Sequence, residues 1–86
     1  MPSTTATVGS AVGLHARPAT IIAEAVADTG STVTLALEGG DPVDAGSALM
    51  IMTLGAEKGT KVVVTAEDQA ALDKIATLVE TDLDAD

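Results

Sequence analysis

The sequence predicts an α+β fold. The expected form is an open-faced sandwich in which a four-stranded antiparallel sheet carries three helices, one of them short, on one face. Three observations predict it. Two β-branched segments, residues 32–37 and 61–65, read as strands. Two apolar stripes, one after His15 and one after Glu67, keep helical spacing. The strands and helices do not alternate regularly, which argues against a parallel βαβ sheet.

Residues 3–8, rich in Thr and Val, form a first strand. Residues 9–14 hold two glycines and a serine and form a loop. A helix then carries Ala19, Ile22, Ala23 and Val26 on one face, and Asp28, Thr29 and Gly30 stop it. In residues 32–37, Val33, Leu35 and Leu37 share a face, the period of a half-buried strand. Gly39-Gly40 marks a tight turn to a short strand within residues 41–44. Ser47 is suited to cap a short helix over residues 48–54. Residues 55–60 form a loop, and residues 61–65 form a strand apolar on both faces, as a central strand is. The last helix runs from about Glu67 to Glu80 or beyond. Leu72, Ile75, Leu78 and Val79 form its stripe, and Glu67 and Asp68 suit its positive end. The order is βαββαβα, in one domain spanning residues 1–86.

Composition narrows the function. The 47 % of hydrophobic residues includes no Phe, Tyr or Trp, so the core is built from aliphatic side chains and alanine. Stacking of bases on aromatic rings is excluded. Four basic residues stand against thirteen acidic ones, a formal net charge of −9. Such a chain repels nucleic acid and anionic membranes and suits partners with basic surfaces. It has no cysteine, which excludes disulfides and thiolate metal sites, and a single histidine makes a zinc site implausible. The first residues, Met1-Pro2-Ser3-Thr4, lack the charge and apolar run of a signal peptide, and no segment has the length of a membrane span. We expect a soluble cytoplasmic monomer.

The informative stretch is GLHARPAT, residues 13–20, which holds the only histidine and the only arginine of the chain. With the helix starting after His15, His15 is its N-cap, Ala16 and Arg17 are its first positions, and Pro18 is the third. Proline is tolerated there because first-turn amides have no partner within the helix. The amides of Ala16 and Arg17 are thus free to meet an anion beside the imidazole. A neutral imidazole keeps a lone pair and is a nucleophile. Arg17 opposes the helix dipole, where sequence economy would place an acid. Its planar fork matches phosphate oxygens, so a visiting dianion explains it. The plainer reading of these two residues is a cap and a solvated surface cation.

GLHARPA in an acidic chain of this length resembles HPr, the histidine-containing phosphocarrier family of the bacterial sugar phosphotransferase system. The resemblance covers essentially the whole chain, and the segment SALMIMTLG, residues 47–55, falls at the family's spacing from the histidine. It implies that His15 accepts a phosphoryl group on Nδ1 from phosphorylated enzyme I and passes it to IIA components of sugar permeases. It implies no metal and no cofactor. Ala16 would contribute its backbone N–H, Arg17 charge balance, Pro18 the geometry of the first turn, and Gly13 loop freedom. Thr20, Leu49 and Met52 would lie near His15 as a contact surface for partners. Ser47 would be a phosphorylation site for a serine kinase and its phosphatase. Two positions depart from the family: Val12 stands where a polar side chain often orders the loop, with Ser10 as the candidate substitute, and Met50 stands where glycine is common.

Other readings are weaker. A regulatory HPr-like binding protein that relays no phosphate has no use for His15. Acyl carrier proteins are all-helical with Asp directly before the serine, whereas Gly46 intervenes here and two strands are strongly patterned. Ser47 as a helix cap is a sufficient structural role, worth about 1 kcal/mol. The order of lysine and glycine in residues 55–60 is not that of a phosphate loop. Asp82, Asp84 and Asp86 alternate like the opening of a calcium loop but lack its glycine and final glutamate.

Overall fold

The computed structural model describes residues 2–9 and 13–81. Ser10 and Val12, and the alternating Asp82, Asp84 and Asp86, lie outside the described residues. The elements follow the predicted order: β1 (Ser3–Thr7), α1 (Ala16–Thr29), β2 (Val33–Leu37), β3 (Val43–Asp44), α2 (Ala48–Met52), β4 (Lys61–Ala66) and α3 (Gln69–Glu80). The strands form a four-stranded sheet in the order β1-β4-β2-β3, and every pairing is antiparallel.

Pairing sets Ala6 opposite Val62, Val62 opposite Leu37, and Val64 opposite Leu35. The alternation of strand side chains sends these residues to one face. There Val33, Leu35, Val62, Val64 and Ala66 are buried beneath the helices. Ser3, Thr5, Thr7 and Lys61 alternate with them and are exposed. One face is therefore core and the other faces water, as the alternation predicts.

From α1 the core receives Pro18, Ala19, Ile22, Ala25 and Val26, and from α3 Ala71, Leu72, Ile75 and Val79. Fully burying each large aliphatic side chain stabilises the fold by about 1.5–3 kcal/mol. Two stripes shift slightly from expectation. Ala25 is buried while Ala23 is half-buried, and Leu78 is half-buried beside Val79. A helix turning 100° per residue presents a broad stripe, and its edge residues are covered only in part.

Element ends follow local capping chemistry. Gly30 closes α1 in the left-handed conformation with φ 69°, and its amide donates to the Ala27 carbonyl. The last helix starts later than expected. The Glu67 amide donates to the Thr32 carbonyl, which ties Glu67 to the residue before β2 and keeps it out of the helix. Asp68 is the N-cap, its carboxylate accepting from the Ala70 amide at 3.1 Å. Likewise α2 ends at Met52, because the amides of Leu54 and Gly55 bond three residues back, to Ile51 and Met52, and tighten the turn.

Candidate functional site

His15 is the N-cap of α1, with extended backbone at φ −83° and ψ −165°. Its carbonyl accepts the first helical bond, from the Ala19 amide at 2.9 Å. Its side chain makes no capping hydrogen bond, so the exposed imidazole is not engaged in holding the helix together. Ala16 and Arg17 follow, both exposed, and their amides have no hydrogen-bond partner among the described residues. No acidic side chain occupies this turn. Arg17 forms no ion pair with a described residue, although acidic residues outnumber basic ones threefold in the chain. Imidazole, free amides and guanidinium thus share one helix turn, with the positive end of the dipole beneath them.

Pro18 anchors this turn. It is fully buried, one of the larger side chains sealed in the core. The ring therefore fixes both the backbone angle of the third helical residue and its depth. Thr20, one turn after Ala16, is exposed, and its hydroxyl donates to the Ala16 carbonyl at 2.7 Å.

Gly13 uses its backbone freedom to hold one conformation. Its φ is +76°, and a Cβ built there would stand 2.4 Å from the Ala56 carbonyl oxygen and 2.8 Å from Glu57 Cα. The glycine permits close backbone approach in a left-handed conformation. The next amide, of Leu14, donates to that same Ala56 carbonyl at 2.9 Å. The same loop also bonds to Val8: the Val8 amide donates to the Thr60 carbonyl and the Gly59 amide to the Val8 carbonyl, both at 2.9 Å. Gly9 is held in turn by α3, its amide donating to Val79 at 3.0 Å, while a Cβ on it would stand 2.0 Å from the Glu80 carbonyl oxygen. Val8 and Gly9 on one side and Leu14 on the other are thus tied to α3 and to the loop after α2. None of these anchors is visible in local sequence except as the two glycines.

The second cluster lies on α2, which packs against α1. Ser47 caps it, its hydroxyl oxygen accepting from the Met50 amide at 3.3 Å. Ile51 is fully buried, and Leu49 is 69 % exposed. Met52 is half-buried against the core, whereas Met50 is 40 % exposed. The more exposed of these two methionines is thus the one that the resemblance marks only as a departure. Ala56 lies four residues beyond Met52, so the end of α2 is within about 15 Å of the residue to which Leu14 bonds, by chain length alone. Thr20, Leu49 and Met52 thus belong to the two helices that flank this junction.

An open-faced sandwich presenting its one histidine at a helix mouth has the form of a small phosphocarrier domain. A family model described as "PTS HPr component phosphorylation site" matches residues 2–81. The phosphocarrier protein HPr of Streptomyces coelicolor is 44 % identical over 80 residues, 90 % of this chain and 86 % of that protein. The phosphocarrier protein NPr of Proteus mirabilis is 33 % identical over 78 residues, 87 % of each chain. Among solved structures, HPr-C-His from Thermoanaerobacter tengcongensis superposes with a TM-score of 0.87 at 27 % identity, covering 100 % of this chain and 99 % of that one. HPr from Bacillus anthracis superposes with a TM-score of 0.84 at 26 % identity, covering 91 % and 95 %. The chain belongs to the HPr family of phosphocarrier components of the phosphotransferase system.

Proposed function

We propose that this chain is a single-domain phosphocarrier over residues 1–86 in which His15 accepts a phosphoryl group from phosphorylated enzyme I and donates it to IIA components of sugar permeases. The observation that carries this reading is an exposed imidazole at the N-cap of α1 that makes no capping bond, beside two amides without partners among the described residues. In acceptance, the Nδ1 lone pair forms the new N–P bond while the bond from phosphorus to enzyme I breaks. In donation, the same N–P bond breaks as a nucleophile of the IIA component attacks. The Ala16 and Arg17 amides and the helix end stabilise the phosphoryl oxygens. Arg17 balances charge as the group moves, and its exposure lets it follow either partner. Pro18 holds the turn at its depth. The chain is consumed and regenerated in stoichiometric turns and is not itself the catalyst; it requires no metal or cofactor.

Partners dock on the face formed by Thr20 of α1 and Leu49 and Met52 of α2. Apolar side chains of this kind adapt to several surfaces. Ser47, which caps α2, is the site for a serine kinase and phosphatase. A phosphate there places negative charge on the docking face and weakens association with a charge-matched partner.

The test is incubation with phosphoenolpyruvate and enzyme I, followed by mass spectrometry. One acid-labile phosphoryl adduct is expected on the wild type and none on His15→Ala. Absence of the adduct on the wild type excludes relay, and an adduct on His15→Ala moves the site elsewhere.

A further inference from the structure

Among the described residues, five threonine hydroxyls donate to a carbonyl three or four positions back. In four of these pairs the amide of the same peptide group lies inside a helix and already belongs to its ladder. Thr20 is the exception. Its hydroxyl donates to the Ala16 carbonyl at 2.7 Å, and that carbonyl shares its peptide group with the Arg17 amide, which has no partner among the described residues. The Ala16 amide is placed differently. Its peptide group ends in the His15 carbonyl, which accepts from the Ala19 amide at 2.9 Å. A hydrogen bond accepted by a carbonyl draws electron density through the peptide resonance, so the N–H at the other end becomes a stronger donor.

We propose that Thr20 is a positioning residue for the phosphoryl group, its hydroxyl polarising the Ala16–Arg17 peptide group so that the Arg17 amide holds the phosphoryl oxygens on His15 more strongly. The inference rests on the carrier reading. Thr20 touches no reacting atom and acts through that one peptide group. A phosphoryl dianion on His15 gains from the stronger donor and a neutral imidazole does not, so the hydroxyl biases the equilibrium toward the loaded carrier. Contacts with a partner protein alter rates and KM. They do not alter the equilibrium between the free, separated species, so a docking role for Thr20 leaves that constant untouched.

The experiment brings phosphoenolpyruvate, pyruvate, catalytic enzyme I and the full chain to equilibrium, and mass spectrometry reads the fraction carrying an acid-labile phosphoryl group. The O–P bond of phosphoenolpyruvate breaks, the N–P bond at His15 Nδ1 forms, and the enol takes up a proton to leave as pyruvate. The equilibrium constant of Thr20→Val is about twofold below that of the wild type, as when loss of a neighbouring bond weakens a charge-assisted hydrogen bond by about 10–30 %. Thr20→Ser keeps a hydroxyl and restores the constant. Thr77→Val deletes the like bond to the Asp73 carbonyl, 2.8 Å long, and leaves the constant unchanged. In NMR spectra the Arg17 amide proton moves downfield on phosphorylation and moves less far in Thr20→Val, whereas the Ala16 amide proton moves equally in both. Valine keeps the β-branch of threonine, so circular dichroism of Thr20→Val stays native. No recovery in Thr20→Ser, an equal fall in Thr77→Val, equal movement of the Arg17 amide proton in both chains, or loss of helix in Thr20→Val each overturns the inference. A wild type that accepts no phosphoryl group overturns the carrier reading and this inference with it. Normal acceptance by the wild type with the same constant in Thr20→Val, whatever its KM, overturns this inference alone.

Discussion

The Leu14 amide donates to the Ala56 carbonyl at 2.9 Å, joining the residue before His15 to the loop that leaves α2. This bond crosses more than forty residues of sequence. It sets where the N-terminus of α1 stands relative to α2, and so links the proposed acceptor to the proposed docking face.

Gly13→Ala meets two obstacles at once. The φ of +76° strains any L side chain, and the new Cβ collides with Ala56 and Glu57 backbone. Gly30 has φ 69° but nothing within 4 Å of a built Cβ. Gly13→Ala should therefore lower stability by about 3 kcal/mol or more and Gly30→Ala by about 1–2 kcal/mol. Urea unfolding of both variants checks the order; equal losses would contradict the close approach at Gly13.

Arg17→Glu replaces a cation that opposes the α1 dipole with an anion that suits it. The unfolding midpoint should hold or rise slightly. Phosphoryl transfer should fall on the order of a hundredfold, as when one stabilising donor is removed from a developing charge. Stopped-flow transfer kinetics beside a melting curve separate the two effects. A variant that transfers at the wild-type rate would remove Arg17 from the mechanism.

Ser47→Ala deletes the acceptor for the Met50 amide. The expected loss is about 1 kcal/mol, and Ser47→Gly should cost less, since glycine is itself an acceptable cap. Chemical denaturation measures both. An unchanged midpoint for Ser47→Ala would show that the short helix is held by its packing alone.

Leu49 and Ile51 lie two residues apart on α2 with opposite environments, 69 % and 0 % exposed. Ile51→Ala should cost about 2–5 kcal/mol of stability, because it empties a sealed position. Leu49→Ala should leave the unfolding midpoint within about 0.5 kcal/mol and raise the KM for phosphorylated enzyme I. Loss of stability in Leu49→Ala, with its KM unchanged, would count against docking through α2.

Much of this architecture was readable from residue types. The alternation of Val33 and Leu35, the stripe of Leu72, Ile75 and Val79, and the stop at Gly30 all reflect local geometry with a fixed period. His15 as an N-cap was compatible with Pro18, since a first turn tolerates proline, and the structure places it there. The start of α3 was less readable, because the Thr32 carbonyl that holds Glu67 belongs to another element. The same is true of Gly13: its positive φ is a local property, but the carbonyl it makes room for comes from Ala56. Met50 and Met52 are alike in composition, and only packing against the core separates them.

The chain's own residues determined the element order, the apolar faces, and an imidazole and a guanidinium placed in one helical turn. These follow from backbone preferences and side-chain periodicity, which act over a few residues. Tertiary structure decided which strands became neighbours, how closely Gly9 and Gly13 approach α3 and the loop after α2, and which side chains of α2 face water. Those outcomes depend on contacts between segments distant in sequence, where packing at solid density and the pairing of buried amides select one arrangement among those that local preference allows.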